Sequence, residues 1–173
     1  MKSRMKNEFL IIAIVLFAIG LTAASVAHSA TMEISIEVPA LQANPYHKPY
    51  VAVWLETPER KAITTLAIWH ERDTWLKDLR QWWRKVGRNA GAELDGVTGA
   101  TRKPGRYRIQ WDGKSSGGQP VPAGEYFLNI EASREEGGRS YHREKITLGQ
   151  MATLTIPAQT ELGEILITIE GKQ

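Results

Sequence analysis

The chain has 173 residues, with 22 lysines and arginines against 19 aspartates and glutamates, and no cysteine. The missing thiols exclude iron–sulfur clusters, thiolate zinc sites and c-type haem attachment, so any redox work needs a different cofactor. The cation excess belongs to the first residues. Lys2, Arg4 and Lys6 are offset there only by Glu8, which leaves 19 cations against 18 anions, and the high pI is not a nucleic-acid footprint.

Residues 1–30 read as a secretory signal peptide: the three cations, an apolar run from Phe9 to Ala24, then small residues with cut sites after Ala27 or Ala30. The apolar run is shorter than the ~20 residues a spanning helix prefers. An uncleaved leader anchoring the chain to the membrane is the alternative. Either way the body is expected outside the cytoplasm, in the periplasm. Residues 31–173 are expected to form one domain, large enough to build a core without disulfides.

Met32 to Val38 alternates, with Met32, Ile34, Ile36 and Val38 on one face, and predicts a half-buried strand. Tyr50 to Glu56 and Ala62 to His70 predict two more, separated by a turn at Thr57–Arg60. The period then changes. Trp75, Leu79, Trp82, Trp83 and Val86 recur at helical spacing and predict an amphipathic helix over about 74–86, with Asp73 or Thr74 as N-cap and Gly87 as the stop. Residues 87–105 form a long glycine-rich loop, and loops of that length are commonly functional or disordered. Strands resume at Arg106, with Tyr107, Ile109 and Trp111 facing inward, and continue at Gly124–Ser133, Ser140–Leu148, Met151–Ile156 and Glu164–Glu170. The expected fold is mainly β: an antiparallel immunoglobulin-like sandwich with one inserted amphipathic helix and a long loop. The order Trp111-Asp112-Gly113, Gly118, Val121-Pro122-Ala123-Gly124, Tyr126 resembles a hairpin of bacterial immunoglobulin-like modules. That resemblance supports the fold and says nothing of function.

The histidines, His28, His47, His70 and His142, are scattered and lack metal-ligand spacing, and no hydrolase or phosphate-loop motif occurs. Attention falls on Asp95-Gly96-Val97-Thr98-Gly99-Ala100-Thr101, which reads as a loop presenting the Thr101 hydroxyl outward. Composition alone also describes an ordinary turn there. The order D-G-x-T-G-A-T resembles the flavinylation motif of proteins carrying covalent flavin mononucleotide (FMN), such as subunits of the sodium-pumping NADH:quinone reductase. That resemblance implies a phosphoester from FMN to Thr101, with FAD as donor and a magnesium-dependent extracytoplasmic flavin transferase as catalyst. Asp95, Gly96, Thr98, Gly99 and Ala100 would then form the transferase recognition motif. The chain departs from the family pattern after the motif, where Arg102 and Lys103 replace small or hydroxyl residues. Those two are candidate phosphate contacts; Arg106 and Arg108 are better read as a solvated strand face. Among the six tryptophans, Trp83 is the candidate for an exposed stacking ring, with Trp75 and Trp82 assigned to the core.

Leader, first strands, tryptophan-rich helix, motif loop and Trp-Asp-Gly hairpin, in that order, resemble the predicted periplasmic domain-of-unknown-function family 2271. That resemblance implies association with flavin transferases and with membrane proteins of the PepSY type or other membrane reductases, in extracytoplasmic electron transfer. The chain reads as an electron carrier rather than a free-standing enzyme. The rival readings are a cofactor-free immunoglobulin-like binding module and a flavin reductase with its own substrate.

Overall fold

The computed structural model describes residues 30–171 apart from 92, 93 and 95. The signal-peptide reading of the leader and the recognition role given to Asp95 therefore lie outside the described residues.

Nine strands form two sheets: β1 (Met32–Val38), β2 (Tyr50–Glu56), β3 (Ala62–Trp69), β4 (Thr98–Gly99), β5 (Gly105–Trp111), β6 (Gly124–Ser133), β7 (Arg139–Leu148), β8 (Ala152–Ile156) and β9 (Ile165–Ile169). One sheet runs β5-β1-β9-β8 and the other β4-β3-β2-β6-β7. The mainly β sandwich expected from the alternating pattern is the fold observed. Each strand turns one face to the other sheet because side chains alternate along it. Met32, Ile34, Ile36 and Val38 of β1 meet Val51, Val53 and Leu55 of β2, Leu128 and Ile130 of β6, and the isoleucines of β9, all buried. β5 points Ile109 and Trp111 into that core and leaves Arg106, Arg108 and Gln110 outside.

The outer face of the five-stranded sheet is apolar too, and a helical segment covers it. Ala52, Trp54 and Ile68 pack under Leu76, Leu79 and Trp82. Burying side chains as large as Leu79 and Trp82, both 0% exposed, stabilises by roughly 2–3 kcal/mol each. The single helix expected over 74–86 is instead a 3-10 segment at Asp73–Asp78, α1 at Arg80–Lys85 and a 3-10 turn at Gly87–Asn89. The break is at Leu79, whose ψ of 70° leaves the helical region. It puts Leu76 rather than Trp75 against the sheet, and Trp75 is only half-buried. Neither Asp73 nor Thr74 is the N-cap; Arg72 precedes the 3-10 segment with no side-chain cap bond. The first N–H groups of α1 find their acceptor far away in sequence. The carboxylate of Glu131 on β6 accepts from Gln81 at 3.0 Å and Trp82 at 2.9 Å.

Two strands begin with the same device. Gly105 and Gly124 both have φ of 150°, a backbone that glycine adopts and other residues avoid. Two residues on, the hydroxyl of Tyr107 donates to the carbonyl of Lys103 at 2.9 Å, and that of Tyr126 to Pro122 at 3.0 Å. This is tyrosine-corner chemistry, which pins a strand to the chain that leads into it.

Candidate functional site

β4 is the stretch that positions the motif. It lies at the end of the five-stranded sheet and pairs with β3 in parallel, the direction opposite to every other strand pair. Its bonds are regular: the Ile68 N–H donates to Val97 O and the His70 N–H to Gly99 O, both at 2.9 Å. The turn before it is closed by Val97 N to Leu94 O at 3.0 Å and by the Thr98 hydroxyl, which donates to Leu94 O at 2.8 Å. Residues 100–104 then cross to β5, the edge of the other sheet.

Thr101 lies in that crossing and is 7% exposed. The expectation of a hydroxyl held out in solvent is therefore corrected. The crossing closes the side of the sandwich, and the threonine is covered there between exposed neighbours Ala100 and Arg102. The motif residues differ in how far the fold explains them. Thr98 closes its own turn. Gly99 lies against Trp69 Cδ1 and the Arg102 guanidinium, where a Cβ would meet both at 3.6 Å. Gly96 is exposed, and no atom of the described residues lies within 4 Å of where a Cβ would stand.

The cations after the motif behave differently from those on β5. Arg106 pairs with Glu37 at 2.9 Å and Glu164 at 3.4 Å, and Arg108 with Glu33 at 3.6 Å, which fits the strand-face reading of both. Arg102 and Lys103 pair with no carboxylate among the described residues. The Arg102 guanidinium instead lies 5.4 Å from the centre of the Trp69 ring and 5.6 Å from that of Tyr107. The two rings meet edge to face, 5.7 Å between centres and 69° between planes.

Sequence reasoning missed Trp69 and Tyr107 as neighbours of the motif. The available signal was the repeated Gly-x-Tyr at Gly105–Tyr107 and Gly124–Tyr126, which marks a strand start latched to its approach. Trp83, singled out as an exposed ring, packs partly buried against the cluster under the helix. Trp82 is fully buried, its indole N–H donating to the Thr65 hydroxyl at 3.1 Å.

Two open clefts flank the first half of the motif. One, of about 330 Å³, is bordered by Thr64, Gly96, Val97, Trp111 and Ser116. The other, of about 260 Å³, is bordered by Thr64, Thr65, Lys85, Leu94 and Ser116. Thr101 lines neither. The described histidines stay apart. His47 lies 3.7 Å from Glu135, His70 lies 3.3 Å from Asp73, and His142 is buried in β7. Among the described residues no three His, Asp or Glu side chains gather as a metal site.

A family profile described as "Predicted periplasmic protein (DUF2271)" matches residues 31–164. No curated protein and no solved structure matches the chain.

Proposed function

Because the chain belongs to this family of predicted periplasmic proteins, we propose that it is a periplasmic carrier of covalent FMN attached through Thr101. The observation that carries the reading is the run Gly96-x-Thr98-Gly99-Ala100-Thr101, in which Thr98–Gly99 form the edge strand β4 and Thr101 lies in the crossing that follows. The chemistry of the surrounding groups fits such a group. Thr101 supplies the oxygen, and Arg102 and Lys103 are exposed cations with no carboxylate partner among the described residues.

In the attachment step the Thr101 Oγ1 attacks the FMN-side phosphorus of FAD. The phosphoanhydride bond breaks, AMP leaves, and the hydroxyl proton passes to a base of the flavin transferase. Such transfers depend on positioning and charge neutralisation, which the transferase and its magnesium supply. The bound flavin supplies reversible electron uptake, while the protein supplies tether, orientation and electrostatics. Electrons would pass from a membrane reductase, such as a PepSY-type protein, to an outer acceptor.

Burial of Thr101 adds a condition to this reading: the crossing must lift for the transferase to reach the hydroxyl. Lifting breaks the His70–Gly99 and Tyr107–Lys103 hydrogen bonds and frees Arg102 from its two rings. With about 1 kcal/mol for each hydrogen bond and about 1 kcal/mol for the cation–π contact, the opened form lies roughly 3 kcal/mol up. That is on the order of one molecule in 150 at any moment, enough for an enzyme to capture. The same burial favours a second reading, in which the loop only closes a cofactor-free interaction module.

Co-expression with a flavin transferase separates the two readings. Intact mass and in-gel flavin fluorescence should show one FMN on the wild type and none on Thr101→Ala. Wild-type protein without added mass eliminates the carrier, and flavin retained by Thr101→Ala moves the attachment elsewhere.

A further inference from the structure

We propose that the open cleft beside α1, walled by Lys77, Arg80, Arg84 and Arg139, is a docking surface for an acidic segment of a partner protein. The inference is independent of the carrier reading and stands whether or not Thr101 takes flavin.

The cleft has about 450 Å³ and is lined by Lys77, Arg80, Gln81, Trp83, Arg84 and Arg139. Among the described residues, four cations border it and no carboxylate does. Residues 77–88 hold five lysines and arginines against Asp78 alone, in a chain that is nearly balanced beyond its first residues. Lys77, Arg80 and Arg84 are exposed, and none pairs with a carboxylate among the described residues. Arg139 is held differently. Its Nε donates to the buried Glu131 at 2.6 Å, and the same carboxylate accepts from the Gln81 and Trp82 N–H groups that begin α1. One anchor thus fixes the strand wall and the helix wall of the cleft together. A guanidinium has five donors, and this bond uses only one of them. Asp78, Glu135 and Glu136 border the adjoining cleft, which shares Arg80 and Arg139 with this one. Those acids repel a carboxylate and confine it to the cationic side.

The shape of the cleft selects among anionic occupants. Lys77 and Arg84 stand seven positions apart, which at the rise of 3-10 and α-helical turns is roughly 10–14 Å. About four residues of extended chain cover that row, whereas a lone inorganic anion does not span it. A small-anion pocket would aim a buried, unpartnered donor at its ligand. The buried atoms without partners belong to Tyr46, His70, His142 and Arg143, none of which lines the cleft. A membrane-binding segment would bury an apolar face in lipid. The apolar face here already lies against the sheet, with Trp83 packed partly buried beside it. Met151, the exposed large hydrophobic among the described residues, is not in the cleft. Complementary charge on a partner protein would speed encounter and fix the orientation of docking.

The test uses purified full-length protein and a fluorescently labelled octaglutamate peptide as the probe. Anisotropy should report binding at low ionic strength that weakens as salt rises, and octaglutamine should not bind. Diglutamate and pyrophosphate should compete about tenfold less well than octaglutamate, since each leaves part of the row unpaired. Arg80→Gln and Arg84→Gln should each weaken octaglutamate about two- to fivefold. Arg108→Gln, an exposed cation on β5 in the other sheet, should leave it unchanged. In the unaltered protein the Trp83 indole N–H resonance, assigned by its loss in Trp83→Phe, should shift during the titration more than that of Trp111. That comparison locates the peptide even if a charge variant folds poorly. Absence of binding at low salt, an equal loss in Arg108→Gln, or an unmoved Trp83 resonance overturns the surface. Phosphatidylglycerol vesicles that displace octaglutamate assign the cleft to lipid, and pyrophosphate that competes as well as octaglutamate makes it a small-anion site. Either result overturns the acidic-segment proposal.

Discussion

Replacing Glu131 by alanine removes the carboxylate on which α1 starts. Glu131 is 0% exposed, and its two oxygens accept from Gln81 N at 3.1 and 3.0 Å, Trp82 N at 2.9 Å and Arg139 Nε at 2.6 Å. Losing a helix-start acceptor costs about 1–2 kcal/mol. Breaking a buried ion pair from one side costs about 3–5 kcal/mol, but Arg139 is 30% exposed, so its stranded charge recovers water and only a part of that applies. The two terms together give about 3–4 kcal/mol, close to a 10 °C fall in Tm for a domain of this size. Glu131→Gln keeps an acceptor oxygen and loses the charge, and should fall about midway. Urea unfolding followed by tryptophan fluorescence measures both variants. A loss below about 1 kcal/mol for Glu131→Ala refutes the claim that this carboxylate anchors the helix. Equal losses for the two variants refute the division between charge and acceptor.

Gly87→Ala should destabilise by about 1–3 kcal/mol through overpacking: its Cβ would stand 2.5 Å from Trp82 Cζ3 and 2.6 Å from Trp83 Cε3. An unchanged urea midpoint would count against that contact. His142 is buried with no partner for its Nε2, and burial holds its pKa below the usual 6.5 against the opposing pull of Glu144. The unfolded chain therefore binds the proton more readily, so this contribution to stability is intact above pH 6.5 and drains away as pH falls through the window beneath it. The slope is at most about 1.4 kcal/mol per pH unit. Denaturation midpoints across that window should flatten in His142→Gln, and parallel profiles in the two proteins would refute the assignment.

The strands were legible because one physical signal, alternation against a buried face, determines them locally. Met32–Val38, Tyr50–Glu56 and Gly124–Ser133 begin and end where the pattern does. The helix was legible in kind and misjudged in detail. Its cap comes from Glu131, about fifty positions away in the chain, and Leu79 breaks the run in a way that helical periodicity does not reveal. β4 left no pattern at all, since two residues cannot show alternation and Gly99 carries no side chain. The motif itself could be read, but the environment of Thr101 could not. Thr101 lies where the chain crosses from β4, the edge of one sheet, to β5, the edge of the other, and periodicity within residues 95–101 does not reveal that crossing. Trp69 was assigned to a strand and its neighbour Arg102 to a loop, and only the parallel pairing of β3 with β4 brings them together.

That pairing has a consequence for the protein in its compartment. A sheet edge with unpaired N–H groups is a template on which other chains add strands. β4 occupies the donors of Ile68 and His70, so the segment that would be offered to a transferase also screens β3 from foreign strands. An opening of the kind that the proposed attachment requires would bare that margin for as long as it lasted. If Thr101 is the attachment site proposed above, access to the threonine and protection against self-association would pull on the same few hydrogen bonds in opposite directions.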